Sequence, residues 1–278
     1  MKIHRITYLD ATYLYADEMH GRELAAPGYI VTWGILREIT EGHVDISTQW
    51  YGDDAVNPRN LIYLNGIVVP KGAILAIEEF DSADVAPKAL ALGTGTKDMT
   101  PNGPSRPAEI GERLAIKWSD IRTYTNGKKV NPTEMLLEGE LMRIDAKFAY
   151  FKSPVNISLR TLGHHPSDER ALGVYALPHG MIISVNDKNG ERVFLQPGPA
   201  GAKEVPPAEA EKQALVTRDI PSYTDREGIT YRHCFVAGLI KKEDQLSIEI
   251  AATANIGRLT ESVIIPRKGA AVHFLSDN

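Results

Sequence analysis

A mainly β, antiparallel protein is what this sequence predicts: a sandwich or distorted barrel with one or two short helices, with α+β as the runner-up. Three observations lead there. In residues 142–150, Met142, Ile144, Ala146, Phe148 and Tyr150 alternate with Arg143, Asp145 and Lys147, and a period of two gives a strand one dry and one wet face. Runs such as Tyr29-Ile30-Val31-Thr32-Trp33 are β-branched and aromatic, the composition of strands. Asn-Gly recurs at 65–66, 126–127 and 189–190, the first and third between apolar runs and the second between Arg122–Thr125 and Lys128–Val130. Both residues tolerate the positive φ of a type I′ turn, so each pair predicts a hairpin. Their spacing is irregular and no internal duplication is evident, which favours an antiparallel sheet protein over a repeat array.

In chain order, residues 2–16 predict one or two strands with Ile3, Ile6, Tyr8, Tyr13 and Tyr15 packed. Residues 29–36 and 43–50 follow as strands around a turn at Glu41-Gly42. Leu61–Leu64 and Ile67–Val69 flank the first Asn-Gly, and Pro70-Lys71-Gly72 turns the chain into a strand over 73–80. Ile110, Leu114, Trp118 and Ile121 share a helical face, yet Leu114, Ile116 and Trp118 also alternate, so helix and strand compete there. Residues 140–160 read as an extended stretch ending in Gly163-His164-His165-Pro166. Residues 208–216 hold good helix formers behind Pro206-Pro207. Strands return over 229–240, 245–250, 263–265 and 270–275.

Two stretches punctuated by Pro and Gly, 81–107 and 197–207, cannot pack a core. One division of the chain has an N-terminal β region (1–85), a Pro/Gly-rich arm or linker (86–107) and a C-terminal β-rich region (108–278). The alternative is one continuous domain with the arm inserted.

The 278 residues carry a net charge of −5 and are 43% hydrophobic and 24% charged. These values suit a folded globular chain and disfavour a generally basic nucleic-acid binder. A single cysteine, Cys234, excludes an internal disulfide. Residues 1–5 carry no apolar signal-peptide core and no run of eighteen apolar residues occurs, so the expectation is a cytoplasmic protein without a membrane partner.

Chemistry concentrates around His164, His165 and Asp168, with His179 opening the next strand. Imidazoles and a carboxylate at a strand end suit a divalent metal such as zinc, manganese or iron, although the spacing matches no established motif. Arg122 with Lys128 and Lys129 makes a basic hairpin tip able to touch nucleic-acid phosphates. Gly52-Asp53-Asp54 reads as an acidic loop, and Gly93-Thr94-Gly95-Thr96-Lys97 lacks the spacing of a phosphate loop. Three functional classes therefore stand. The first is a non-catalytic binding or assembly protein acting as a complex subunit, with a protein partner or as a homo-oligomer. The second is a metal-dependent enzyme with its site near His164 and His165. The third is a nucleic-acid-associated component using basic hairpin tips.

Overall fold

The structure, a computed structural model, describes residues 1–14, 29–81, 88–91, 106–128, 130–155, 173–196, 212–255 and 262–275. Its strands fall into three groups. The first comprises β1 (Lys2–Leu9), β2 (Thr12–Leu14), β3 (Tyr29–Ile39), β4 (His43–Gly52), β5 (Leu61–Pro70), a 3₁₀ corner (Lys71–Ala73), β6 (Ile74–Asp81) and β7 (Lys88–Ala89). The second comprises β8 (Arg113–Asp120), β9 (Arg122–Tyr124), β10 (Thr133–Ile144), β11 (Phe148–Val155), β12 (Gly173–Pro178), a 3₁₀ corner (His179–Met181), β13 (Ile182–Asp187) and β14 (Arg192–Val193). The third comprises β15 (Gln213–Thr224), β16 (Thr230–Glu243), β17 (Ser247–Ala251), β18 (Thr253–Asn255), β19 (Val263–Pro266) and β20 (Ala270–Phe274).

The three groups are copies of one five-stranded unit. In each, the opening strand lies between two others: β1 between β3 and β6, β8 between β10 and β13, β15 between β16 and β20. The strand after it forms a hairpin with the next (β3–β4, β10–β11, β16–β17), which pairs with the fourth (β5, β12, β19). All pairings are antiparallel.

Local chemistry repeats with the topology. The hairpin turn is held by an oxygen side chain accepting backbone N–H groups: Thr40 from His43, Asp145 from Lys147 and Phe148, Asp244 from Leu246 and Ser247. A proline then closes the fourth strand, and the next N–H reaches back to that turn. Lys71 donates to Gly42 O (2.9 Å), His179 to Lys147 O (3.0 Å) and Arg267 to Leu246 O (2.9 Å). Gly34, Gly139 and Gly238 take the same place in the second strand, two residues before a β-bulge. A Cβ at Gly34 would fall 2.0 Å from Ser47 O, and one at Gly238 2.1 Å from Ala251 O. The backbones cross too closely for any side chain.

Units join by trading strands. β2, which follows β1, pairs with β12 of the second unit, and β9, which follows β8, pairs with β5 of the first. The registers correspond residue for residue. The two corners meet where this exchange crosses: a Cβ on Gly72 would lie 2.1 Å from Gly180 O, and one on Gly180 1.8 Å from Gly72 O. Ile46, Val69 and Ile77 of the first unit share a buried core with Ile116, Leu141 and Phe151 of the second. The first and third units exchange differently. Beyond the bulges their hairpins fork, so that β4 pairs with β16 (Gln49 opposite Val236) and β18 with β3 (Thr253 opposite Thr32). Trp50 stacks on Phe235 at 5.8 Å between ring centres, and Trp33 Nε1 donates to Gln213 Oε1 at 3.0 Å.

The mainly β, antiparallel class is as the sequence predicts, in two sheets that do not close into a barrel. Several local expectations are corrected. No α-helix occurs among the described residues: the contested stretch forms β8, and Gln213–Val216 belongs to β15. Asn65-Gly66 is no turn but lies inside β5, where a Cβ on Gly66 would sit 2.3 Å from Tyr124 Oη. Asn126 and Gly127 do adopt positive φ (57° and 67°), yet β9 pairs with β5 rather than with the residues after the turn. Only Asn189-Gly190 turns a hairpin, β13 to β14. The extended stretch over 140–155 folds back at Asp145-Ala146-Lys147. The internal repeat, where the sequence shows no evident duplication, is the main correction.

Candidate functional site

The units differ at the outer edge of the fourth strand. In the first, β9 completes that edge, with Tyr124 opposite Gly66, Thr123 opposite Ile67 and Arg122 opposite Val68. In the second, β2 sets Leu14 opposite Val174, Tyr13 opposite Tyr175 and Thr12 opposite Ala176. The matching residues of the third unit are Ser262, Val263 and Ile264, and no described strand pairs with that edge of β19. Burial follows suit. Ile67 and Val68 are 6% and 0% exposed, whereas Val263 and Ile264 are 44% and 69% exposed. Leu246, whose carbonyl accepts the Arg267 N–H beside this edge, is exposed as well.

Three residues in each unit form an acceptor set for the added strand. The bulge sets one residue of the second strand between two register pairs: Arg37, Met142 or Lys241. The third strand supplies the residue next to it: Asp45, Tyr150 or Glu249. The third member lies four residues before the proline that closes the fourth strand: Gly66, Val174 or Ser262. A bulge re-aims the side chain it isolates, and in the first unit the result is a clamp. Tyr124 donates its hydroxyl hydrogen to Asp45 Oδ1 at 2.8 Å. The Arg37 guanidinium lies 5.3 Å from the Tyr124 ring centre and 4.6 Å from that of Tyr63, within cation–π range. Burial pushes the Tyr124 hydroxyl up to about 12; the bond to Asp45 acts in the same direction and Arg37 opposes it. The phenol therefore stays protonated as a donor.

The second unit's set is Met142, Tyr150 and Val174. Met142 packs against a cluster containing Phe148, Tyr150 and Val174, and the residue in register with Val174 is Leu14. The third unit returns to charge: Lys241, Glu249 and Ser262, whose hydroxyl donates to Glu249 Oε1. Cation and carboxylate thus stand where Arg37 and Asp45 stand in the first unit.

The site residues expected from sequence fall elsewhere. His164, His165 and Asp168 lie outside the described residues. His179 opens the second corner, its Nε2 donating to Asp145 O at 2.8 Å, which fastens that corner to the β10–β11 turn. Among the described residues no group of three or more His, Cys, Asp or Glu is placed to hold a metal ion. Arg122 is exposed on the exchanged strand β9, Lys128 is exposed just after it, and Lys129 lies outside the described residues. The chain turns at Asn126-Gly127, but β9 pairs with β5, and Gly127 N donates to Leu64 O, which holds this segment against the first unit. Asp53 and Asp54 each accept two backbone N–H bonds within their own loop, which accounts for that acidic pair.

No family model, curated protein or solved structure matches this chain. Among the described residues no helix is long and apolar enough to cross a membrane. The acceptor sets carry no motif that sequence reading recognises, since their members lie about 8–30 residues apart. The one trace of the repeat is its corner, Pro70-Lys71-Gly72, Pro178-His179-Gly180 and Pro266-Arg267-Lys268-Gly269.

Proposed function

We propose that this protein is a non-catalytic assembly protein, a β-rich subunit of a larger complex that binds another polypeptide by taking an added strand along β19. One observation supports the reading above others: the edge positions covered by a traded strand in two units have no described strand beside them in the third, where Val263 and Ile264 are exposed. An unpaired edge presents backbone N–H and C=O groups at strand spacing, ready to pair with an extended segment. Val263 and Ile264 are neighbours on a strand and point to opposite faces. A strand laid beside them shelters part of each, and fully burying such a side chain contributes about 1.5–3 kcal/mol.

The test compares wild-type protein with Ile264→Lys and with Val56→Lys, a control on an exposed loop. Light scattering after size exclusion and affinity capture from source cells, with captured chains identified by mass spectrometry, are the readouts. Wild type and control are expected to associate with the same polypeptide, and Ile264→Lys to lose it with unchanged circular dichroism. Equal association by all three forms would overturn the reading.

A further inference from the structure

The two occupied edges differ in what they hold, and the difference follows their acceptor sets. A cation and a carboxylate, Arg37 and Asp45, receive a tyrosine, Tyr124, over a residue without a side chain, Gly66. The apolar set of Met142, Tyr150 and Val174 stands opposite Leu14. Both traded strands have the same form: an aspartate, three intervening positions, then the residue opposite Val174 or Gly66. Asp10-Ala11-Thr12-Tyr13-Leu14 and Asp120-Ile121-Arg122-Thr123-Tyr124 align without a gap.

The open edge has the charged set. Lys241 is the residue at the bulge, Glu249 lies opposite Ile264 as Asp45 lies opposite Val68, and Ser262 replaces Gly66 with a small side chain already bonded to that carboxylate. A neutral aliphatic residue placed over Glu249 would desolvate a carboxylate and return no hydrogen bond. An aromatic hydroxyl would supply the bond, and its ring would meet the cation. A second copy of this chain is a poor occupant. Its own traded strands β2 and β9 are already committed, and the matching segment 220–224 is held beside β16. The third corner also carries Lys268 in the stretch where two glycines touch between the first and second units.

Resting on the strand-addition reading, we infer that the β19 edge is selective for an extended segment of a different protein that presents a tyrosine opposite Ser262, its hydroxyl donating to Glu249 beside Lys241. The donor strand of the first unit's edge supplies the probe. A nine-residue peptide with the sequence of residues 118–126 (Trp-Ser-Asp-Ile-Arg-Thr-Tyr-Thr-Asn) is titrated into isotope-labelled full-length protein, followed by the amide resonances of Val263, Ile264 and Ile265. Analogues carry Tyr124→Phe or Tyr124→Leu. The tyrosine peptide is expected to bind with an affinity about ten-fold above either analogue, the worth of one hydrogen bond to a charged group. Glu249→Gln in the protein should remove most of that preference. The double variant Lys241→Met, Glu249→Tyr should turn it toward the leucine peptide. Equal binding of all three peptides at these amides would overturn the tyrosine selectivity and leave strand addition standing. Absence of any shift at these amides with all three would overturn both.

Discussion

Tyr124 and Asp45 belong to different units of the repeat, and the 2.8 Å hydrogen bond between them fastens a traded strand to its host. Asp45 is 1% exposed, and its other oxygen, Oδ2, is ion-paired with Arg37 Nη1 at 3.5 Å. Tyr124→Phe would strip the carboxylate of its donor in a dry setting, where an unmet charged acceptor costs about 2 kcal/mol. Urea unfolding should register a loss of that size. A Tyr124→Phe protein as stable as wild type would show that the bond holds nothing together.

The meeting of Gly72 and Gly180 admits no side chain on either backbone. Gly72→Ala and Gly180→Ala should each destabilise the protein by about 3 kcal/mol, as overpacking at an immovable backbone contact does. Gly42→Ala is the control, since a Cβ there meets nothing within 4 Å. It should change stability by less than about 0.5 kcal/mol.

Val68 and Ile264 occupy the same register position in two copies of the unit, one fully buried and one 69% exposed. Val68→Lys should cost about 3 kcal/mol or more through burial of an unpaired charge. Ile264→Lys should leave the melting temperature within about 1 °C of wild type. Thermal unfolding of the pair checks the equivalence of the units and the openness of the third edge together.

Asp10 and Asp120 are also matching residues, each at the end of a first strand and each accepting the N–H of the next residue. Burial pushes the Asp10 carboxyl up to about 7, and the charge of Asp120 adds to the shift. Burial raises Asp120 too. A carboxyl with a folded-state pKa above its unfolded value near 4 stabilises the fold most when protonated. That contribution is complete below about pH 4 and is lost as pH rises through about 7. Stability should therefore fall between pH 4 and pH 8. Asp10→Asn should raise it at pH 8 by about 2 kcal/mol and make no difference below pH 4. Melting curves across that range decide it; a wild type unaffected by pH would contradict the assignment.

Strand content was legible because alternation and β-branched runs report burial on one or both faces, a property of neighbours in sequence. Asn189-Gly190 was legible for the same reason, since its turn is closed by adjacent strands. Asn65-Gly66 misled because its glycine answers a tertiary demand: the Tyr124 side chain and Ile46 O crowd the place a Cβ would take. The stretch over Leu114 to Trp118 was ambiguous by period and was settled by pairing with β10 and β13 on both sides. Turn caps at Thr40, Asp145 and Asp244 were within reach of sequence reading, but three different neighbourhoods hid their kinship.

The residues alone determined that this chain forms antiparallel sheets, because a period of two is imposed by the geometry of one strand. Tertiary structure decided that there are three copies of one unit, which edges are traded and which has no described strand beside it. Corresponding positions in the units share a place and seldom a residue, as with Arg37, Met142 and Lys241. Backbone pairing depends on hydrogen bonds that every residue but proline can make, so three dissimilar sequences can hold one topology. The side chains left free by that backbone are what differ from one edge to the next.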